Sequence, residues 1–553
     1  MSYFRFVDGK WTIMENQPWW RGAVIYQIYP RSFMDANHDG IGDLAGIVQK
    51  LPYVKNLGVD AIWISPFFKS PMKDFGYDIS DYREIDPMFG TMADFDQLMA
   101  KAKGLDLKVI IDQVLSHTSD QHAWFLESRE DKHNDKADWY VWADANEDGT
   151  PPNNWLSIFG GCAWQWEPRR QQYYLHNFLT SQPDLNFHNE DVRKAVLDNV
   201  KFWLDHGVDG FRLDAINFCF HDKLLRDNPA KAVEDRQGRG FSEDNPYAFQ
   251  YHYYNNTQPE NIAFMEEIRS LMDQYPNVVT LGEISSEDSL QTMAEYTQGD
   301  KRLHMAYSFE LLTPDGDPQY IRSTVEALED KLSDGWPCWA IGNHDVTRVA
   351  SRWADKEYSS VQSKMFNALL ASLRGSVCSY QGEELGLTEA DIAFEDLQDP
   401  YGVTFWPTFK GRDGCRTPMP WLEKQVNAGF SDSTSPWLPV SQAHAANAVD
   451  VQEASKDSVL QAYRTFLHWR KTQPCLQYGD IEFIESNDER LVFTRRYQES
   501  KIMVIANFTA DETQYQPSVE KIKPLTGHGF QDISIDEQTQ IRLAPFQIAF
   551  LTI

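Results

Sequence analysis

Four short apolar runs in this 553-residue chain lead into ionisable side chains. Leu107-Lys-Val-Ile-Ile111 runs into Asp112 and then His117, and Gly210-Phe-Arg-Leu213 runs through Arg212 into Asp214. Val278-Val-Thr-Leu281 ends at Gly282-Glu283, and Cys338-Trp-Ala-Ile341 leads to Asn343-His344-Asp345. One such charge can be an ordinary solvated strand end, but several acids, two histidines and an arginine at matching places form a set. Arg212 and Asp214 are two apart, so in a strand they face the same side, where the cation would hold Asp214 ionised. Three acids without a Gly-rich dinucleotide loop after the first strand suggest carboxylate chemistry. One carboxylate would attack or act as base; a second, kept protonated by burial or a neighbouring negative charge, would donate a proton. Glycoside hydrolysis uses such a pair, and 18 Trp, 24 Tyr and 32 Phe supply faces for sugar rings.

Acids from distant segments meet only if the fold carries them to one rim. Val24-Ile-Tyr-Gln-Ile-Tyr29 and Ala61-Ile-Trp-Ile64 precede the four runs, and Met305-Ala-Tyr-Ser308 and Ser376-Val-Cys-Ser-Tyr380 complete eight strand candidates. Helical spacing lies between them: Leu44, Ile47, Leu51, Val54 and Leu57; then Phe95, Leu98, Met99 and Ala102 behind the N-cap candidate Thr91. Strands alternating with helices give right-handed βαβ units, and eight of them favour an α/β fold of the (β/α)8 TIM barrel type, whose chemistry sits at the C-terminal ends of the strands. About 75 residues after strand three are too many for a βα loop. Rich in Trp, Asn and Gly, they predict an inserted small domain over 118–187. The barrel then takes 1–117 and 188–475, with a Pro-rich excursion over 382–450 after strand eight. Residues 476–553, with short runs such as Leu491-Val-Phe-Thr494 and Ile502-Met-Val-Ile505, predict an antiparallel C-terminal β domain.

Lys+Arg minus Asp+Glu is 51 − 82 = −31. That balance argues against nucleic acid, whose binding needs clustered Lys and Arg, and against an anionic membrane surface. A 42% hydrophobic fraction is too apolar for a disordered chain. No apolar stretch is long enough for a membrane helix, and Met1 to Gln17 lacks the charged and apolar regions of a signal peptide. The six cysteines are scattered without a CxxC, so they read as buried free thiols of a cytoplasmic protein.

The motifs are also recognisable as a set. Asp112-Gln-Val-Leu-Ser-His117, Gly210-Phe-Arg-Leu-Asp214, Gly282-Glu283 and Asn343-His-Asp345 resemble, in order and at fitting spacing, four sequence regions of glycoside hydrolase family 13, the α-amylase family. Gln182-Pro-Asp-Leu-Asn186, Trp20–Phe33 and Gly411–Trp421 resemble its α-glucosidase and oligo-1,6-glucosidase branch. The resemblance implies a retaining mechanism: Asp214 matches the nucleophile, Glu283 the general acid and later base, and Asp345 the acid that steadies the oxocarbenium-like transition state. His117, Arg212 and His344 match sugar-contacting residues. Asp74 and Arg412 match a salt bridge that closes the pocket behind the non-reducing-end glucose, with Tyr77 beneath that glucose and Phe159 and Phe178 as neighbours. All three acids being present argues against the non-catalytic transporter-subunit relatives of this barrel.

The resemblance implies release of terminal non-reducing, α-1,4-linked glucose from short, maltose-like α-glucosides: Ala215, after the nucleophile, accompanies α-1,4 cleavage in this branch, whereas Val accompanies α-1,6. Transfer of glucose to acceptors is expected beside hydrolysis, and an oligo-1,6-glucosidase or a sucrose isomerase is the alternative on the same scaffold. Monomer and homodimer both remain open. Ser116 stands where many members carry an Asn that helps bind the amylase calcium, so that calcium is not expected. Another loop, Asp35-Ala-Asn-His-Asp-Gly-Ile-Gly-Asp43, sets oxygens at alternate positions around a glycine turn but lacks the closing Glu of an EF-hand. The family places a structural Ca²⁺ (or Mg²⁺) on the matching Asp35, Asn37, Asp39 and Asp43 and the carbonyl of Ile41.

Overall fold

The computed structural model describes residues 3–7, 10–14, 17–236, 245–519 and 521–553; parts of the Met1–Gln17 stretch therefore lie outside the described residues. Eight parallel strands form one sheet: β1 (Val24–Ile28), β2 (Ala61–Ile64), β3 (Lys108–Val114), β4 (Gly210–Asp214), β5 (Val279–Ile284), β6 (Met305–Ser308), β7 (Cys338–Ala340) and β8 (Ser376–Tyr380). Their order is β6-β5-β4-β3-β2-β1-β8-β7, and a parallel bridge between Ala306 and Pro337 joins β6 to the start of β7. The ring closes as a (β/α)8 barrel. Each strand is followed by a helix: α1 (Leu44–Asn56), α2 (Met92–Gly104), α3 (Glu190–Asp205), α4 (Asn261–Met272), α5 (Ser289–Thr297), α6 (Pro318–Lys331), α7 (Ser359–Leu370) and α8 (Val459–Arg470).

Period-two alternation decides which side chains enter the barrel. Ile25, Trp63, Ile110, Leu281, Met305, Cys338 and Cys378 form the inner cluster. Val24, Tyr26, Ile62, Ile64, Val109 and Ile111 pack outward with the helices. Both faces are buried, which is why the strands read as continuous apolar runs. The inner rows then turn polar one step of two further along: Ile110 is followed by Asp112, Leu281 by Glu283 and Met305 by Tyr307. Helix starts are equally local. Thr91 and Asp94 form a capping box at α2. Asn189 caps α3, which carries Glu190 and Asp191 in its first turn and buries Val192, Val196, Val200 and Trp203.

Within 118–187 an antiparallel three-stranded sheet (Trp142–Ala143, Trp164–Glu167, Gln172–Leu175) surrounds its own small core containing Trp155 and Trp164. Residues 382–450 contain short helical turns and no strand. The C-terminal part holds two antiparallel sheets, one built on Asp480–Ser486, Arg490–Tyr497, Ser500–Asn507 and Ile548–Thr552, the other on Thr513–Tyr515, Ile541–Leu543 and Ser534–Ile535. A hairpin of Tyr3–Val7 and Lys10–Met14, which the sequence reading missed, precedes the barrel. All six cysteines are free; five are buried, but Cys162 is exposed on the loop before Trp164, contrary to the expectation of burial. Among the described residues no helix is long and apolar enough to cross a membrane.

Candidate active site

Asp112, Arg212 and Glu283 project from β3, β4 and β5, which are neighbours in the sheet, with Arg212 directly opposite Asp112 in the ladder. Arg212 is fully buried and lies over the ring of Trp63, its guanidinium carbon 4.8 Å from the ring centre. Its Nη1 donates to Asp112 Oδ1 at 2.9 Å and to Asp214 Oδ1 at 2.6 Å, and its Nη2 donates to Glu283 Oε1. Tyr307, opposite Glu283 on β6, donates its hydroxyl to Glu283 Oε1 at 2.9 Å, and the Ala215 amide donates to Glu283 Oε2 at 3.1 Å. Ala215 reaches that position in a left-handed conformation (φ 39°, ψ 46°), which non-glycine residues adopt rarely and mostly at constrained sites. Asp214 and Glu283 are thus held side by side, on two nitrogens of one guanidinium.

Arg212 does bond Asp214, as its spacing predicts, but one positive charge is divided among three carboxyls. Burial pushes Asp214 up to about 7 against the pull of Arg212, with Asp112 and Asp345 adding to the rise. Glu283 is likewise raised by burial to about 7, opposed by Arg212 and reinforced by Asp214 and Asp345. Asp112 rises to about 6 for the same first reason. Groups this close release protons as a set rather than one residue at a time.

Asp345 has the opposite surroundings. Its Oδ1 accepts from Arg412 Nη1 at 3.1 Å and Arg416 Nη2 at 2.9 Å. Burial alone would raise it, but His344 and the two guanidiniums bring it well below the usual carboxylate range. Burial drives His344 itself far down. Its ring lies between Tyr77 (5.2 Å, interplanar angle 1°) and Tyr29 (5.6 Å, 19°).

The pocket over these acids is lined by Asp74, Tyr77, His117, Phe159, Phe178, Asp214, Ala215, Glu283, Asp345 and Arg412. Its space, counted to the open mouth, is about 730 Å³, in the range of small-molecule sites. Ten of the twelve proposed catalytic and substrate residues are therefore on its wall. Arg212 and His344 are not: both lie beneath it, bonded to or packed against the acids. Tyr77 donates its hydroxyl to Asp112 at 3.0 Å. His117 Nε2 lies 3.0 Å from the Tyr77 carbonyl, and Ser116 Oγ is 3.0 Å from His117 Nδ1. Burial lowers His117 to about 4, leaving a neutral ring.

At one end Arg412 Nη2 donates to Asp74 Oδ1 at 2.9 Å, and both side chains are under a tenth exposed. Asp399 fixes the same guanidinium through Nε (3.0 Å) and Nη2 (2.9 Å). Phe159 covers it, 5.2 Å from guanidinium carbon to ring centre, and Gln182 Nε2 donates to Asp74 Oδ2 at 3.0 Å. Asp399, Arg416, Tyr307 and Tyr401, which lines the pocket with its ring centre 5.3 Å from that of Phe159, are the residues the sequence did not point to. Arg416 and Gln182 lie inside quoted motifs, and Asp399-Pro400 carries the N-cap signature of the short helix Pro400–Phe405, but no periodicity links that helix to Arg412.

The Asp35–Asp43 loop lies apart from the pocket lining. Asp43 caps α1 through Gly46 N (2.6 Å) and accepts from the amides of Ala36 and Asn37; Asp35 accepts from His38, Gly40 and Ser431. Burial and the neighbouring Asp35 raise Asp43, and no basic side chain pairs with either acid among the described residues. Two buried anions without a counter-charge fit a hard cation. Among the described residues no three acid, His or Cys side chains are placed to hold a metal ion by themselves, in this loop or elsewhere, so a cation in this loop would also draw on the Asn37 amide oxygen and the Ile41 carbonyl.

Acids gathered at the C-terminal rim of a (β/α)8 barrel, under a pocket with aromatic walls and one closed end, define a carbohydrate-cleaving class of barrel. The family description "Alpha amylase, catalytic domain" matches residues 27–479. The chain is 54% identical over 529 residues to the "probable alpha-glucosidase" of Rhizobium meliloti (strain 1021), covering 95% of this chain and 96% of that protein. It is 38% identical over 547 residues to the oligo-1,6-glucosidase of Heyndrickxia coagulans, covering 92% and 96%. The crystal structure of an alpha-glucosyl transfer enzyme superposes with a TM-score of 0.95 at 62% identity, over 97% of this chain and all of that one. The chain belongs to the α-amylase family of glycoside hydrolases, in its α-glucosidase branch.

Proposed function

We propose that this enzyme is a retaining, exo-acting α-glucosidase that releases terminal non-reducing glucose from short α-1,4-glucosides and also transfers it to acceptors. The observation that carries the reading is the shared guanidinium: Asp214 and Glu283 sit on two nitrogens of Arg212, at the floor of a pocket whose end is closed by Asp74, Arg412 and Asp399. Asp214 attacks the anomeric carbon while Glu283 protonates the departing oxygen, giving a glucosyl ester. Glu283, now a carboxylate, takes a proton from water or from an acceptor hydroxyl, whose oxygen attacks the same carbon and frees Asp214. Asp345, ionised throughout, faces the positive charge that develops on the sugar ring. Arg212 and His344 act from below by positioning these acids, whereas Asp74, Tyr77, His117, Phe159, Phe178 and Arg412 form the terminal-glucose site.

A carboxyl separation of about 5–5.5 Å in a substrate complex is expected for retention. Maltose should be turned over in preference to isomaltose, by the roughly 10–200-fold that one pocket contact supplies; Ala215 supports that order, and a clear isomaltose preference overturns it. The relative named oligo-1,6-glucosidase makes this the comparison to run first, and products formed from sucrose would separate hydrolysis from isomerisation. We further propose that Asp35, Asn37, Asp39, Asp43 and the Ile41 carbonyl hold Ca²⁺ or Mg²⁺ for a structural purpose. Chelation should lower the melting temperature by a few degrees, with recovery on adding Ca²⁺; no change at any chelator concentration removes the proposal. The scattered free thiols and the acidic balance support a cytoplasmic protein acting on small glucosides, as a monomer or homodimer.

A further inference from the structure

Two segments far apart in the chain meet at the closed end of the pocket. One is a turn over 157–161 in the inserted domain, closed by bonds between Ser157, Gly160 and Gly161, which brings Ile158 and Phe159 to the lining. The other is the short helix Pro400–Phe405, which brings Tyr401. Phe159 lies over the Arg412 guanidinium and meets the Tyr401 ring edge-on, the planes 80° apart. Asp399, which fixes Arg412, also caps the Tyr401 helix. The segments touch again at Gly160, whose φ is +97° and where a Cβ would stand 3.0 Å from Cζ of Phe405.

A third segment ties these two together. Asn245 is fully buried behind the lining. Its Nδ2 donates to the Ile158 carbonyl at 2.5 Å and to the Tyr401 hydroxyl at 3.0 Å. Its Oδ1 accepts from the Tyr247 amide at 3.0 Å and so caps the turn Pro246–Phe249. The acceptor is used at home, and both protons go to partners 87 and 156 residues away. Ser, Thr, Asp or Asn could each serve the local cap. Of the four, only Asn can also donate twice. The residue type at 245 therefore answers to the two distant segments as well as to its own turn.

We propose that Asn245 is a positioning residue for the terminal-glucose site: it sets the separation of Phe159 and Tyr401, and thereby the fit of the glucosyl ring, without touching the sugar. This rests on the exo-glucosidase reading above. The catalytic acids hang on a separate set of bonds, those of Arg212 at the barrel strands. Loosening the wall should therefore weaken glucose binding and leave the chemical step largely intact.

The test compares wild type with Asn245→Ala, Asn245→Asp, Tyr401→Phe and the double variant Asn245→Ala/Tyr401→Phe. It reads kcat and KM on p-nitrophenyl α-glucoside, Ki for free glucose as competitive inhibitor, and melting temperature. Asn245→Ala and Asn245→Asp should each raise Ki about tenfold, the scale of lost buried hydrogen bonds, with kcat within about threefold of wild type. Asn245→Asp keeps the acceptor for Tyr247 and loses both donors, so it separates the bridge from the local cap. Tyr401→Phe should raise Ki about threefold, and the double variant should match Asn245→Ala to within about twofold, because both remove the same bond. Wild-type affinity in Asn245→Asp would leave only a local cap and overturn the inference. A kcat that falls as far as Ki rises would mean a general structural role, and a double variant showing the product of the two single effects would mean that Tyr401 is not held through Asn245; either overturns it. If neither Asn245 variant folds, Tyr401→Phe decides, and an unchanged Ki overturns the inference. No p-nitrophenol release by wild type would overturn the glucosidase reading, and this inference with it; normal release with Ki unchanged across the series overturns the inference alone.

Discussion

Arg212 serves three carboxyls at the pocket floor, whereas Asp345, on the wall of the same pocket, draws on two guanidiniums, those of Arg412 and Arg416. Both regions are buried, and burial pushes every carboxyl upward in each. The outcome differs because the supply of positive charge differs. Asp214 and Glu283 end near 7, poised to hold and pass a proton, while Asp345 remains ionised. Asp74 and Asp399 repeat the contrast within the Arg412 network. Asp74 accepts one bond from Arg412 and is still raised by burial; Asp399 accepts two from its side chain and one from its amide, and is lowered. In separating proton carriers from fixed charges, the number of guanidiniums facing an acid matters more here than the count of bonds: Asp345 meets two and is lowered, whereas Asp112 takes two bonds from the single Arg212, which it shares with Asp214 and Glu283, and still rises to about 6.

The largest break in the comparison removes a carrier. Asp214→Asn keeps the shape of the floor but has no nucleophile, and kcat should fall by about 10⁴-fold or more. Glu283→Gln should cost about 10²–10⁴ on maltose, and much less on p-nitrophenyl α-glucoside, whose leaving group needs little protonation. Stopped-flow release of p-nitrophenol would display this difference as a burst, because deglucosylation still needs the missing base. Equal losses of Glu283→Gln on both substrates would contradict its role as proton donor.

Breaking the other region should cost less. Arg412→Ala strips Asp74 and Asp399 of a shared partner and removes one of the two guanidiniums on Asp345. Truncating a buried charged partner costs about 2–5 kcal/mol, so kcat/KM on maltose should drop by roughly 10²–10³-fold. The closed end would open, and the preference for maltose over maltotriose should shrink in the same variant. Arg416→Met leaves the Asp74–Arg412 bridge in place and should lower kcat/KM without changing chain-length preference. If the two variants alter length preference equally, the closure does not reside in Arg412.

The two regions were not equally legible from sequence. The floor is written in strand periodicity: Asp112, Arg212, Asp214 and Glu283 follow apolar runs at even steps, so a barrel alone brings them together. Tyr307 obeys the same rule on β6 and could have been read as Glu283's neighbour from its position two residues after Met305. The closed end is written partly in the 382–450 excursion, where Asp399 and Arg416 are placed by short helical turns and glycine-dependent packing. Gly402 and Gly411 touch there, with Cβ room at Gly411 blocked by Gly402 at 2.7 Å, a tertiary fact with no sequence period. Arg412 was reached through a family motif, and its second anchor, Asp399, was not. At fold level the eight barrel strands were readable for the same reason, while the short pairings at the C-terminus, such as Lys523–Pro524 with Ile548–Thr552, depend on partners far along the chain.

The smallest effects come from pH, and they test the comparison most directly. Turnover requires one proton on the Asp214–Glu283 pair: with two there is no nucleophile, with none there is no acid. Because both groups are raised to about 7, kcat/KM should follow a narrow bell centred near neutrality and fall about tenfold per unit on the outer limbs. Stability should move with opposite signs in the two regions. The floor carboxyls have folded values above their unfolded values near 4, so their contribution is complete below about pH 4 and is lost as pH rises through 6 to 7. Asp345 is held below its unfolded value, so its contribution is present above about pH 4 and lost as pH falls below that. Asp214→Asn should therefore flatten the decline in melting temperature between pH 5 and 8, by a few degrees, while Asp345→Asn should reduce that decline less, through loss of a charge that raises the pair, and soften the loss below pH 4. Scanning calorimetry of the two variants beside wild type checks both signs in one series; a steeper alkaline decline in Asp214→Asn would mean that Arg212 outweighs burial at the floor, and the distinction between proton carriers and fixed charges would fail.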